Sequence, residues 1–564
     1  MPRSILRALA AALLLGAGVQ AQTPSPTAPP TMADARARIQ ANDNAGAVVL
    51  LEQITASTPG NANAWQMLGT AYRALRNGPK AIAAYQKMID LVPASVQAPF
   101  GMAAAHAVSG DTDGAFAWLT KARDRRLDMS RIETDPDLAP LRRDPRFARL
   151  RPMEASFANP FVEDVTILRE WRGQSPNDQF GWNARNIGDV DGDGAEDVVT
   201  SAPTKVFGGP PAGRIYVYSS GTGALLWSAD GSPGDRLGIG VEGAGDANAD
   251  GVPDVVAGAP GAGYARVYSG RDGTVLLTVR GENAADAFGR QTSGVGDVNA
   301  DKHADFIVGA PNNNAGGQNA GRAYVYSGKD GALLLTLTGE REQDGFGSAV
   351  GGGPDGSSAF KLLVGAPGAG ATHTGRSYVY NALSATPQFV VDAEPTGGAM
   401  GAMFLAVAGD VNGDGAADVF ASDFMDGAKG AGAGSVYVRS GRDGSRLLTL
   451  SGEGAGENFG SSISVAGDVD GDGHADLIVG AWQYAAGATS GGRAYLYSGK
   501  TGTLLKTYTC RTPGDTFGFD ATAIGDIDGD GTVDLLITSA WSGVSGFNSG
   551  RIFVISSGVR KAAG

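Results

Sequence analysis

The chain of 564 residues carries one cysteine, Cys510, so no disulfide can form within it, and cross-bracing has to come from elsewhere. Histidine is nearly as scarce. His106, His303, His373 and His474 are the only four, and no zinc signature, nucleophile elbow or phosphate-binding loop accompanies them. That leaves little support for an enzyme. Positive charge is in deficit, with 45 Lys and Arg against 59 Asp and Glu and a formal charge of −14. No basic stripe exists, which argues against nucleic acid as a partner. Residues 1–21 place Arg3 and Arg7 before an Ala/Leu stretch that ends in Val19-Gln20-Ala21. This reads as a cleaved secretory signal, too short to span and stay, so no membrane span is expected. No cysteine follows it to take a lipid anchor.

What the chain does have is aspartate at fixed spacing. Six segments place Asp or Asn at positions 1, 3 and 5 and a further Asp at 9. The first comprises Asp189, Asp191, Asp193 and Asp197, and the second Asp246, Asn248, Asp250 and Asp254. Asp297, Asn299, Asp301 and Asp305 form the third. The remaining three are Asp410, Asn412, Asp414, Asp418; Asp468, Asp470, Asp472, Asp476; and Asp526, Asp528, Asp530, Asp534. Short oxygen-bearing side chains converging on a tight turn suit calcium, which takes six to eight oxygens. Position 7, Ala195 in the first loop, can add a backbone carbonyl, and Gly at position 6 permits the turn. The first half reads like an EF-hand loop. The second half does not, because Asp at 9 replaces Glu at 12 and no helices flank the loop. In the third loop Lys302 stands where Gly is expected. Six bound calcium ions would return +12, so the acidity is mostly ligation and no sign of a basic partner.

The leading aspartates advance by 57, 51, 113, 58 and 58 residues. The long gap is two periods, and its missing copy lies at Gly353–Lys361, with Lys361 at position 9. An ammonium there could take the place of a cation, so that repeat is expected to be metal-free. Each repeat adds a Phe-Gly pair before the loop (Phe180-Gly181, Phe288-Gly289, Phe346-Gly347, Phe459-Gly460, Phe517-Gly518), with Leu237-Gly238 in the second and none in the fifth. After the loop come an apolar strand such as Ile307–Pro311, an alternating strand such as Arg322–Tyr326, a Ser-Gly turn and a fourth strand such as Leu333–Leu337. Seven repeats of four strands predict a β-propeller.

These motif pairs, recurring in register over residues 162–558, resemble the FG-GAP repeats of integrin α-chain propellers. The resemblance implies calcium at the loop positions named above, about six ions in all. It also implies that ligands engage the face opposite the loops. On that face the matching segments are residues 205–212, 312–320, 423–433, 482–491 and 541–549, and the candidate exposed aromatics are Phe207, Phe424, Trp482, Tyr484, Trp541 and Phe547. Their Gly/Ala/Asn-rich composition fits adaptable contacts and equally fits tolerated turns.

The last repeat stops after its third strand, Arg551–Ile555, while Val165–Gly173 matches a fourth strand. Residues 162–172 are therefore expected to complete the last blade. Residues 22–32 form a Pro/Thr-rich spacer, and residues 33–150 turn to Ala, Leu and Arg at helical spacing. Trp65, Leu68, Gly69, Tyr72, Ala81, Tyr85 and Pro93 match the tetratricopeptide pattern. The expected fold is thus multi-domain: all-α tetratricopeptide-like repeats, then an all-β seven-bladed propeller. The function expected is that of an exported, periplasmic or secreted, non-catalytic binding protein. Its propeller would take a protein or carbohydrate ligand, and its helical repeats would contact a protein. A propeller-based hydrolase or lyase and an envelope adaptor or spacer remain as alternatives.

Overall fold

The structure, a computed structural model, describes residues 30–93, 95, 97–124, 131–148, 150, 154–354 and 360–561. The signal segment, residues 22–29 of the spacer, and residues 355–359 of the aspartate-poor fourth loop lie outside them. The described chain divides into a helical unit and a larger unit that holds every strand.

In the helical unit six helices alternate with short turns: Met32–Gln40, Asn44–Ser57, Ala62–Ala74, Gly78–Leu91, Gln97–Val108 and Thr112–Asp124. Their starts are chemically marked. Thr31 and Asp34 form a capping box, and the side chains of Asp43, Asn61 and Asn77 accept backbone N–H groups in the first turns. The tetratricopeptide residues Leu68, Tyr72, Ala81 and Tyr85 are buried in one core with Ala47, Leu51 and Met102. Gly69 has a steric reason: a Cβ there would stand 2.9 Å from the Tyr85 ring.

The larger unit contains seven antiparallel sheets of four strands each, a seven-bladed β-propeller. Within each blade the second strand is fully or almost fully buried, as at Asp305–Ala310 and Asp476–Ala481, because blades pack against both of its faces. Alternation along the third strands suggests that only one face is buried, and the structure differs. Arg322–Tyr326 has four of its five residues buried, since both faces meet neighbouring blades. The half-exposed strand is the outermost, as in Leu333–Thr338.

The seventh sheet is built from both ends of the propeller chain. Ile167–Arg172 pairs antiparallel with Arg551–Ser556, with Trp171 opposite Ile552 and Arg172 opposite Arg551. Phe161 lies edge-on to Phe517 and Phe553 at 5.0 and 5.3 Å, and the Glu163 carboxylate accepts from Thr509 N–H at 2.6 Å. This pairing covers the edge that Arg551–Ser556 would otherwise expose.

The Phe-Gly pair is a packing device. Phe180, Phe288, Phe346, Phe459 and Phe517 are each buried between strands, and the glycine that follows takes a left-handed backbone. At Gly289, φ is +87° and a Cβ would stand 2.6 Å from the Tyr264 carbonyl. The fifth repeat has the pair in altered form. Met400 bridges to Gly375 as Phe346 bridges to Gly321, and Gly401 has φ +74°. A flexible thioether fills the ring's place, which a search for aromatic residues misses.

Candidate metal loops and ligand face

All six aspartate loops share one backbone geometry. The residue at position 6 donates its N–H to the first aspartate: Gly194 to Asp189 at 2.9 Å, Gly251 to Asp246 at 2.9 Å and Gly415 to Asp410 at 2.8 Å. Lys302 does the same to Asp297 at 2.8 Å, and holds φ at +72° to do so. A lysine can be forced there, at a conformational cost that glycine avoids. The aspartate at position 9 accepts the N–H of position 2 in every loop, as Val190 to Asp197 at 2.9 Å and Ile527 to Asp534 at 2.8 Å. These bonds hold the side-chain oxygens inward. Asp189, Asp191 and Asp197 have carboxylate oxygens within 4.8 Å of one another, as do Asp468, Asp470, Asp476 and Asp526, Asp528, Asp534. The other three loops carry an asparagine at position 3.

The position-9 carboxylates at Asp197, Asp254, Asp305, Asp418, Asp476 and Asp534 are completely buried. Burial pushes Asp197, Asp254, Asp305 and Asp418 up to about 6 and Asp534 up to about 7, with neighbouring loop carboxylates adding to the shift. In five blades the second oxygen accepts an N–H from the Ser-Gly turn, at Ser220, Gly270, Gly328, Gly441 or Gly499. In the seventh blade the fourth strand comes from elsewhere in the chain, that turn does not exist, and Asp534 Oδ1 has no partner among the described residues. A buried, orphaned carboxylate oxygen amid three more acids fits a hard divalent cation.

At position 9 of the fourth repeat the Lys361 ammonium is buried and donates to Asn381 Oδ1 and Gln388 Oε1, both at 2.7 Å. Here the loop charge and the adjoining turn change together. His303 and His474, at position 7, bond with Nδ1 to the carbonyls of Ala247 and Val411 in neighbouring loops. They serve as ties between blades. His106 meets Asp111, and His373 meets the Gly368 carbonyl.

The segments after the second strands emerge at the opposite ends of those strands. Lys205 is buried against Asp178 at 2.7 Å, and Phe207 is 46 % exposed. Phe424 and Phe547 are half-buried. Tyr484 does not fit the surface role expected of it: it is 6 % exposed, under the Arg493 guanidinium and bonded to Glu453. Trp482 and Trp541 are half-buried and stack at 4.7 Å, forming a cluster with Trp182 and the buried Phe519. Trp182 and Phe519 escape a motif search because they occupy the variable position after Phe-Gly. That very variability, among repeats otherwise in register, is the signal that could have found them. Glu453 accepts from Arg493, Tyr484 and Tyr495, a structural use. Deeper along the axis Arg185 bridges Glu242, at 3.0 Å, and Asp520. Burial pushes Glu242 up to about 7.

Comparison with known proteins agrees with this architecture. The FG-GAP repeat model matches residues 180–218, 288–326 and 459–497, and a tetratricopeptide repeat model matches 32–96 and 67–129. Integrin alpha-2 of Mus musculus is 30 % identical over 167 residues, 26 % of this chain and 14 % of the relative. Integrin alpha-8 of Gallus gallus is 31 % identical over 185 residues, 29 % and 17 % of the two chains. Integrin alpha pat-2 of Caenorhabditis briggsae is 30 % identical over 226 residues, 34 % and 18 %. The chain thus spans less than a fifth of the length of these relatives. Among the described residues no helix is long and apolar enough to cross a membrane. The chain therefore carries FG-GAP repeats within a seven-bladed β-propeller that is similar in sequence to integrin α chains, and tetratricopeptide repeats in the helical unit that precedes it.

Proposed function

We propose that this is an exported, calcium-stabilised, non-catalytic binding protein. Calcium would occupy the six aspartate loops and leave the fourth repeat to Lys361. The loop face would then be structural, and the opposite face would present the ligand surface. The helical repeats would contact a protein. The observation that carries the reading is the position-9 aspartate, buried in six blades, converging with two further loop carboxylates in three of them, and replaced by Lys361 in the fourth repeat. Bound calcium supplies positive charge that relieves the repulsion among four acidic or amide side chains per loop. The chain itself sets the oxygens in place through the position-2 and position-6 N–H groups.

Similarity to integrin α chains supports a binding role over a catalytic one. The axial carboxylates Glu242 and Asp520 are both engaged by Arg185, which disfavours their use as an acid–base pair. Extracellular calcium modules bind with Kd of roughly 0.1–1 mM. At ~1 mM free calcium and ~0.1 mM Kd, each site contributes about 1.4 kcal/mol, and six independent sites about 8 kcal/mol. That is comparable with the whole stability of a typical domain. Thermal melts of the full chain in 1 mM calcium and in chelator test the proposal. A large fall of the propeller transition in chelator is expected, and a transition indifferent to chelator would refute the calcium reading.

A further inference from the structure

At the axial mouth of the face opposite the aspartate loops, one cavity of about 40 Å³ is lined by Trp182, Asn183, Arg290, Gln291, Phe404 and Phe519, among others. Two of its polar groups lack partners. Asn183 is 2 % exposed, and its side-chain oxygen, Oδ1, accepts no hydrogen bond among the described residues. A buried acceptor left unmade is costly unless something arrives to donate to it. The Arg290 guanidinium, at the exposed rim, meets no carboxylate among the described residues, and the charge acting on it is another cation, Arg236. Several other arginines of the propeller are paired, Arg185 with Glu242 and Asp520, Arg214 with Asp230, Arg322 with Glu282, Arg376 with Asp392 and Arg493 with Glu453, whereas Arg236, Arg266, Arg280 and Arg439, like Arg290, meet no carboxylate among the described residues. Beside the cavity stands the aromatic cluster. Trp182 lies 5.1 Å from Phe519 and 5.6 Å from Trp541, which stacks on Trp482 at an angle of 26°.

We propose that this mouth binds an acidic sugar, its carboxylate on Arg290, a ring hydroxyl donating to Asn183 Oδ1, and the C–H face of the ring against the indoles. The chemistry selects by exclusion. A cationic group is opposed by Arg290 and Arg236. A purely apolar group would leave both the guanidinium and the amide oxygen unmatched. A bare carboxylate or a phosphomonoester dianion suits the arginine but has no proton for Asn183. A hydroxy acid supplies both. The cavity has room for roughly three water-sized spheres, enough for the carboxylate and one hydroxyl, so the body of the sugar stays outside on the tryptophans. The inference rests on the reading of this face as the ligand face and names the ligand class for it.

The test is titration of the full chain in calcium with trigalacturonic acid and with its methyl ester, followed by tryptophan fluorescence and calorimetry. The ester keeps the ring and hydroxyls and removes the charge. The acid is expected to perturb the indole emission and to bind at least tenfold more tightly than the ester. Arg290→Gln should abolish that preference without changing the melting temperature, and R290E should abolish binding of the acid. Equal binding of acid and ester, or an R290Q chain that still prefers the acid, would overturn the proposal. An aspartate-containing peptide is titrated alongside. If the peptide binds through Arg290 and the sugars do not, the sugar class is wrong and the face remains a ligand face. If neither binds, both readings fall for this mouth.

Discussion

Trp171 and Trp227 occupy equivalent places in consecutive blades, which makes them a matched pair for measuring how the ring is closed. Each lies in an outermost strand and is 8–9 % exposed. Each indole N–H donates to a carbonyl of the next blade, Trp171 to Gly223 at 3.0 Å and Trp227 to Gly270 at 2.6 Å. Each ring also packs on a tyrosine there, Tyr218 at 5.1 Å and Tyr268 at 6.2 Å. Truncation to alanine should cost about 3–5 kcal/mol at either site. The consequences should nevertheless differ. The strand Leu225–Asp230 is joined by a short turn to its own blade, whereas Ile167–Arg172 is held to Arg551–Ser556 by pairing and packing alone. In Trp171→Ala the loss therefore falls on a strand that can open by itself. Its opening constant should rise by roughly two to three and a half orders of magnitude, at 1.4 kcal/mol for each factor of ten. Native-state hydrogen exchange reads this directly. Amides of 167–172 should lose protection in W171A while those of 225–230 keep theirs, and W227A should instead lower protection across blades 1 and 2 together. Unchanged exchange of 167–172 in W171A would refute the idea that this strand is a separately releasable clasp.

Lys361→Met should lower the melting temperature by an amount equivalent to about 2–4 kcal/mol, because two charge-assisted bonds are lost and Asn381 and Gln388 stay buried. The fall should be the same in calcium and in chelator, and a calcium-dependent difference would contradict the metal-free reading of that repeat. Glu242 sets a pH dependence. Its folded-state pKa, about 7, exceeds the ordinary 4.5, so the folded chain holds the proton more tightly and loses stability as pH rises between those values. Glu242→Gln cannot lose it, so the melting temperature of the variant minus that of the native chain should grow from pH 5 to pH 8; a flat difference would show that Arg185 fully compensates the charge. Gly69→Ala should destabilise the helical unit by about 1–3 kcal/mol through collision with the Tyr85 ring, seen as a lower midpoint of its far-UV circular dichroism transition.

The repeat count, the four-strand rhythm and the helical repeats were legible because each is written in local spacing. A period of 51 to 58 residues, counting the double gap as two, and a turn at each aspartate run determine how many blades form. Substitutions within the pattern were harder to see. Met400 replaces the ring that the other repeats bury, and Lys361 works only because Asn381 and Gln388 changed with it. Tyr484 read as a surface aromatic and is instead buried by Arg493 and Glu453, partners 9 and 31 residues away along the chain. The sequence by itself determined a ring of seven sheets, since a repeat that cannot bury both faces alone must stack on copies of itself. Only the tertiary structure decided what meets at the axis. Closure of the ring brings one short stretch from each of six blades to the same place, so Trp182, Asn183, Arg290, Phe404 and Phe519 share a cavity although they are separated by up to 337 residues. Spacing along the chain reports the order of the blades, but the chemistry of the mouth depends on side chains that become neighbours only after the ring has closed.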